Sequence, residues 1–418
     1  MRLNKHRFIF RFSMMSMLSA CATVHAAEVF SHQRNYMLGD WNGKRSELQQ
    51  QGYDFSIGYT GEFASLFDAK YANHHADAYT GQLSLVAQFD LDKILNWQDS
   101  EAKIAVTYRD GHSLSQTADA LNGQNDTAVG QLSSVQELWG RGQTWRLTDF
   151  WIQKKFLDQR LAIKLGRFGE AEEFNSFDCK FQNLALCGSQ VGNWAGDQWY
   201  NWPVSQWAMR VKYAIQPDLF VQAGVFEHNA ENLKRSKGFN LSSKGSNGAL
   251  LPIEVIWQPM FSDMAGEYRA GYVYSTVDRS SQDTAIDQKQ AYWMSAKQQL
   301  STVDGNNARG LSAFIQATWF EGDADNPDDA QIADMQNIGL SYVGLFAARA
   351  QDELAIGVSR IHKQQTGFSH EYNSELYYAV QVNNWLTIKP NIQYIHHIGA
   401  LKSGNNAWVG GIKFDSSF

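Results

Sequence analysis

Beyond its first twenty-six residues the chain has no apolar run approaching the eighteen or so residues that a membrane-spanning helix needs, and its mean hydropathy is negative. Helical insertion is thereby excluded. Blocks of like charge are missing too, and the overall balance is acidic, at −7. That combination argues against a nucleic-acid partner. Cysteine is nearly absent: of three in the chain, Cys21 lies in the first segment, leaving Cys179 and Cys187. Proline is equally scarce, at six, yet there are 33 glycines and aromatic residues make up 13% of the chain. This profile is unlike that of an ordinary two-layer globular domain.

What the chain does have begins with a leader. Arg2, Lys5, Arg7 and Arg11 precede an apolar stretch and then Val24-His25-Ala26, the pattern of a secretory signal peptide over residues 1–26 with a mature start at Ala27. A competing cut is present at Leu18-Ser19-Ala20-Cys21, which is similar to a lipoprotein signal and would leave Cys21 acylated. Either route exports the chain, and removing the four basic leader residues takes the formal charge to about −11. Export also makes a disulfide between Cys179 and Cys187 chemically permissible, and so short a loop would gain roughly 2–3 kcal/mol from closure.

Residues 27–52 form an N-terminal segment in which Asp40 to Gln51, capped by Asp40 and stopped by Gly52, predicts a short helix. From Tyr53 onward the apolar period becomes two. In Tyr53-Asp54-Phe55-Ser56-Ile57-Gly58-Tyr59-Thr60 the odd positions are apolar, and the pattern repeats in Gln82–Phe89 and Lys103–Arg109. Sixteen such stretches of about ten residues follow one another through 53–418, the length and even number of a transmembrane β-barrel. Connections alternate between short turns, such as Leu157–Arg160 and Gln216-Pro217, and long segments, such as 110–145, 169–205 and 228–249. A soluble sugar-binding sandwich would lack that parity. The closing strand ends at Phe418, an aromatic terminus similar to the signal read by the barrel-assembly machinery.

The expected fold is therefore all-β: a 16-stranded antiparallel transmembrane barrel with a short periplasmic helix and long loops folded inward. A closed sheet pairs every backbone group, so strands only half apolar suffice in hydrocarbon. Alternation then directs a mixed set of charges inward, among them Glu62, Lys103, Arg109, Asp149, Lys164, Arg210, Lys212, Glu254, Arg269 and Glu375. Mixed sign suits a neutral, hydroxyl-rich solute better than an ion. The segment from Phe168 to Gln206 adds acids (Glu170, Glu172, Glu173, Asp178) beside many rings and both cysteines. It is the first choice for the narrowest point, with 110–145 the second.

Tyr59-Thr60-Gly61-Glu62, Tyr79-Thr80-Gly81-Gln82-Leu83, Lys164-Leu165-Gly166-Arg167-Phe168, Asn183-Leu184-Ala185 with Cys187-Gly188, Trp202-Pro203-Val204-Ser205 and Glu375-Leu376-Tyr377-Tyr378 together give the chain a resemblance to the carbohydrate-selective outer-membrane porins of the OprB type. The match is collinear over nearly the whole exported chain. It implies passive diffusion of sugars, notably glucose, through a constriction lined by arginine and acidic groups. Carried over residue by residue, the constriction candidates are Arg109, Glu137, Arg146, Asp149, Trp151, Arg167 and Glu170, and Arg210 joins them from the inward set. Asp149 stands where a glutamate is expected, and Asp110 where a histidine is common. Those departures bear on which sugar passes.

Expected partners are neutral sugars, outer-membrane lipids and lipopolysaccharide, and the assembly machinery, with association as a homotrimer left open; no cofactor or metal is called for. Two other classes stay in view. A barrel enzyme acting on glycans or lipids would need a positioned nucleophile, and no Gly-x-Ser-x-Gly elbow is present, although Glu172 or Glu173 could serve a glycosidase. His74-His75 is a poor metal pair, because neighbours on a strand point apart. A general porin of low selectivity is the other alternative.

Overall fold

A computed structural model describes residues 34–69, 76–115, 131–194, 199–277, 290–321, 331–364, 367–402 and 405–418. The leader, both candidate cleavage points and the His74-His75 pair lie outside the described residues. Sixteen strands form one sheet: β1 (Tyr53–Ala69), β2 (Asp77–Asp90), β3 (Ser100–Gly111), β4 (Trp145–Phe156), β5 (Leu161–Phe168), β6 (Gln206–Gln216), β7 (Leu219–His228), β8 (Gly248–Trp257), β9 (Met264–Ser275), β10 (Gln290–Gln299), β11 (Gly310–Glu321), β12 (Gln331–Val343), β13 (Glu353–Gln364), β14 (His370–Asn383), β15 (Leu386–His396) and β16 (Ala407–Ser417). A further two-residue piece, Met260–Phe261, only tightens the turn into β9. Each strand is antiparallel to the next, and β16 returns to β1 with Ala69 opposite Ala407 and Gly58 opposite Ser417. The sheet has no free edge.

The period of two decides which face meets lipid. Leu165, Met294 and Ile338 point outward and are about 60% exposed, whereas their neighbours Lys164, Trp293 and Asn337 are buried. The outward apolar band is bounded by rings at both ends. Trp257, Phe261 and Tyr268 cluster on the short-turn side, and Tyr108 with Trp145 and Tyr394 with Trp408 pair on the long-loop side, at 4.8 and 4.6 Å. Such girdles mark the two membrane interfaces, and the short turns face the periplasm.

The N-terminal helix α1 (Lys44–Gln50) starts later than the sequence suggests. Gly43 occupies the cap position in a left-handed conformation, and Asp40 instead accepts hydrogen bonds from the Ser46 N–H and hydroxyl. Its one buried side chain is Arg45. The guanidinium lies 3.6 Å from the Tyr36 ring centre and 4.3 Å from that of Trp41, and donates to the Phe418 carbonyl at 2.7 Å. Met37 N–H donates to the Ser417 carbonyl beside it. The segment is thus clasped onto the seam between the first and last strands.

Candidate functional site

The third long loop, over its described residues 169–194 and 199–205, folds into the lumen on a path that begins at the Lys164–Phe168 motif. Gly166 has φ +143°, and a Cβ there would come within 2.3 Å of the Phe150 carbonyl, so only glycine lets β5 lie this close to β4. Beyond Phe168 the chain turns inward through Glu170–Glu172. Glu170 accepts the Tyr200 N–H at 2.9 Å, tying the loop's start to its end, and Glu173 accepts Lys164 Nζ (2.6 Å) and Arg210 Nε (3.0 Å) from the wall. Rings provide the core that keeps so long a loop folded. Phe168 and Phe174 pack on Phe226, and Trp199 on Trp293 at 5.8 Å.

The loop then crosses to the opposite wall. Asp178 pairs with Lys297, and Lys180 with Glu353 at 2.9 Å. Phe181 packs edge-on against Phe314 and Tyr377, and Glu375 accepts the successive N–H groups of Gln182 (2.9 Å) and Asn183 (2.7 Å). Cys179 and Cys187 are bonded across this tip, with Cα atoms 4.2 Å apart. Over its described residues 131–144 the second long loop folds inward as well. Leu132 and Ser133 donate to Glu371, Leu138 to Glu62, and the two loops exchange Glu137 N–H to Gln182 carbonyl and Leu184 N–H to Ser134 carbonyl bonds, each 2.9 Å.

Charges meet where the loops approach the wall. Lys413 Nζ sits between Glu137 (2.9 Å) and Glu62 (3.3 Å), and Glu137 also faces Arg109 at 3.9 Å. Gln82 Oε1 accepts from both Arg109 Nε (2.8 Å) and Trp202 Nε1 (3.0 Å). Next along the wall Asp149 pairs with Lys103 at 2.8 Å and accepts Trp151 Nε1, while Lys164 rides over the Trp151 ring at 4.0 Å. Arg210 spans Glu173 and Gln153. The structure therefore brings Arg109, Glu137, Asp149, Trp151 and Arg210 into one mixed-charge lining. Three other candidates have different surroundings. Arg146 is bound by the carbonyls of Arg141, Asn232 and Leu233, Arg167 by that of Ser205, and Glu170 lies wholly buried at the loop base.

Lys413, Gln82 and Trp202 stand at the centre of this lining but outside the eight candidates. For Lys413 the signal was present: it occupies the face of β16 opposite Trp408 and Ile412, among Val409 and Gly411.

Burial pushes the Glu170 carboxyl up to about 8, and burial aided by Asp149 does the same to Glu172. Burial also acts upward on Glu173, but Lys164 and Arg210 bring it below the ordinary range. Glu170 thus favours the folded loop while protonated. Its contribution is complete below the ordinary carboxyl value near 4.5 and is lost as pH rises through about 8. Protease resistance of the third loop in detergent is expected to fall from near pH 4.5 to about pH 8 and to level off above, and Glu170→Gln to flatten that fall. An unaltered slope in the variant would refute the assignment.

A closed sixteen-stranded barrel with ringed interfaces and an inwardly folded constriction loop is an outer-membrane channel of a Gram-negative bacterium. The chain belongs to the family of carbohydrate-selective porins, OprB, whose family model matches residues 74–418. It is 43% identical to Porin B of Pseudomonas aeruginosa over 95% of this chain and 94% of that one. The high-pH structure of Pseudomonas putida OprB is similar over 93% of this chain and all of that chain, at 42% identity and a TM-score of 0.86. The low-pH structure of the same protein gives 0.63 at 39% identity.

Proposed function

We propose that the protein carries neutral sugars, from monosaccharides such as glucose up to short oligosaccharides, passively into the periplasm. The observation that carries this is the balanced lining: Arg109, Lys413, Lys103 and Arg210 alternate with Glu137, Glu62, Asp149 and Glu173, so donors and acceptors are interleaved without a field of one sign. Hydroxyl groups can exchange hydrogen bonds along such a wall, and Trp202 offers a face for sugar rings. Weak binding of this kind lets solute enter and still leave.

Arg109, Glu137 and Arg210 are assigned to solute contact, while Asp149, wholly buried, and Trp151, whose ring lies under Lys164, position Lys103 and Lys164. The carbonyl cage around Arg146 and Arg167 and the burial of Glu170 support assigning those three to the frame that holds the loops. Lipopolysaccharide and other outer-membrane lipids against the apolar belt, recognition of the Phe418 strand by the assembly machinery, and a homotrimer complete the reading.

Reconstituted in planar bilayers, the protein is expected to give stepwise conductance that glucose or maltose blocks saturably, with succinate inert. Arg109→Ala should weaken the block about tenfold, the loss of one or two charge-assisted hydrogen bonds. Conductance indifferent to both sugars would refute the selectivity.

A further inference from the structure

On the periplasmic side of the third loop's tip lies a cavity of about 610 Å³, separate from the Arg109–Glu137 lining. Phe177 and Asp178 of the loop roof it, Glu267 and Arg269 of β9 and Lys297 of β10 form its wall, and Asn307 of the turn before β11 closes its rim. The volume falls in the range of roughly 300–1,000 Å³ that encloses small ligands. Four of its five lining charges pair off, Asp178 with Lys297 and Glu267 with Arg269 at 2.8 Å, and the fifth, Arg309, lies 4.0 Å from Asp304. These groups are not sealed off, since the Lys297 and Asp178 side chains are 45% and 50% exposed. An ammonium, guanidinium groups and carboxylates so placed offer hydrogen bonds to water or to hydroxyl groups from donors and acceptors alike. Phe177 supplies an apolar face, held from behind by Phe314 with ring centres 5.2 Å apart.

We infer that this cavity is a second sugar subsite, an exit site that holds a neutral mono- or disaccharide between the constriction and the periplasm. The inference rests on the sugar-channel reading and adds a place and a direction to it. Two weak sites in series shorten each step a solute takes through a narrow channel. Because the roof belongs to the same loop that narrows the passage, both sites are held by one element.

The test is side-selective block in planar bilayers, with channel orientation fixed by one-sided protease and glucose or maltose added to one chamber at a time. Glu267→Gln with Lys297→Met removes one charge from each pair; the Lys297–Asp178 pair is partly exposed and costs little stability, and Arg269 keeps a second carboxylate, Glu254, at 3.1 Å. Periplasmic-side block is expected to weaken at least about fivefold, with outer-side block changed less than about twofold. Phe177→Leu, which keeps an apolar contact with Phe314, should give the same one-sided loss. Unchanged periplasmic block in both variants, or equal weakening from both sides, overturns the exit site and leaves the sugar channel standing. Absence of block in the unaltered protein from either side removes the channel reading and the exit site together.

Discussion

Lys413→Met is expected to lower the stability of the barrel by about 3–5 kcal/mol, the usual effect of removing one partner from a buried charge network. Lys413 is 3% exposed and holds the carboxylates of Glu62, fully buried, and Glu137, nearly so. Methionine fills the space but leaves the two carboxylates facing each other with only Arg109, 3.9 Å from Glu137, as a remaining cation. The damage extends to the second loop, because Leu138 N–H donates to the same Glu62 carboxylate and Gln136 to the Glu62 carbonyl. Denaturant unfolding in detergent micelles measures the effect, with Lys413→Arg as the charge-keeping comparison. A midpoint indistinguishable from that of the unaltered protein would mean that the loops, not the ion pairs, hold this region.

The double variant Glu371→Ala with Glu375→Ala is expected to raise single-channel conductance several-fold and abolish sugar block while the barrel stays closed. Glu371 accepts N–H groups from Leu132 (2.8 Å), Ser133 (3.3 Å) and Gly399 (2.7 Å), and Glu375 those of Gln182 and Asn183. Each buried donor left unpaired costs about 1–3 kcal/mol. The wall itself loses nothing comparable, because β14 keeps its ladders to β13 and β15. With both wall anchors gone, the second and third loops are released from one side of the lumen and the passage widens. Conductance equal to that of the unaltered protein would show that Lys180–Glu353 and the rings around Phe181 suffice to hold the tip.

The wall of the barrel was legible in the sequence because each strand carries its own evidence. Leu165 outward and Lys164 inward can be read from adjacent letters, and strand length and turn parity follow from the same alternation. Helix α1 was legible in existence but not in its start, since Asp40 can cap from either side of a left-handed turn at Trp41–Gly43. The lining was partly legible. Asp149 and Arg210 show themselves as charges on an inward face, but only the first finds its mate, Lys103, on a strand; the mate of Arg210, Glu173, comes from a loop that has no period. Nothing in the letters around Arg146 says that carbonyls from residues 232 and 233 will enclose it. The same holds for Glu371, whose three donors come from two different loops. Pairings of this kind are set by where a loop lands, and landing sites are a property of the closed barrel.

The clasp at Arg45 bears on how the barrel is made and lost. Fifteen of the sixteen strand pairings join neighbours in the chain, and one, β1 with β16, closes a ring of more than 350 residues, as the Thr60–Asp415 hydrogen bond illustrates. Local hairpins form early and long closures late, so the seam is the natural last step of assembly. Until it shuts, two unpaired strand edges stand open to the wrong partners. A guanidinium held between Tyr36 and Trp41 and bonded to the Phe418 carbonyl acts on that interval: it slows reopening of a ring already closed, and so contributes to the lifetime of the folded state more than to its wall.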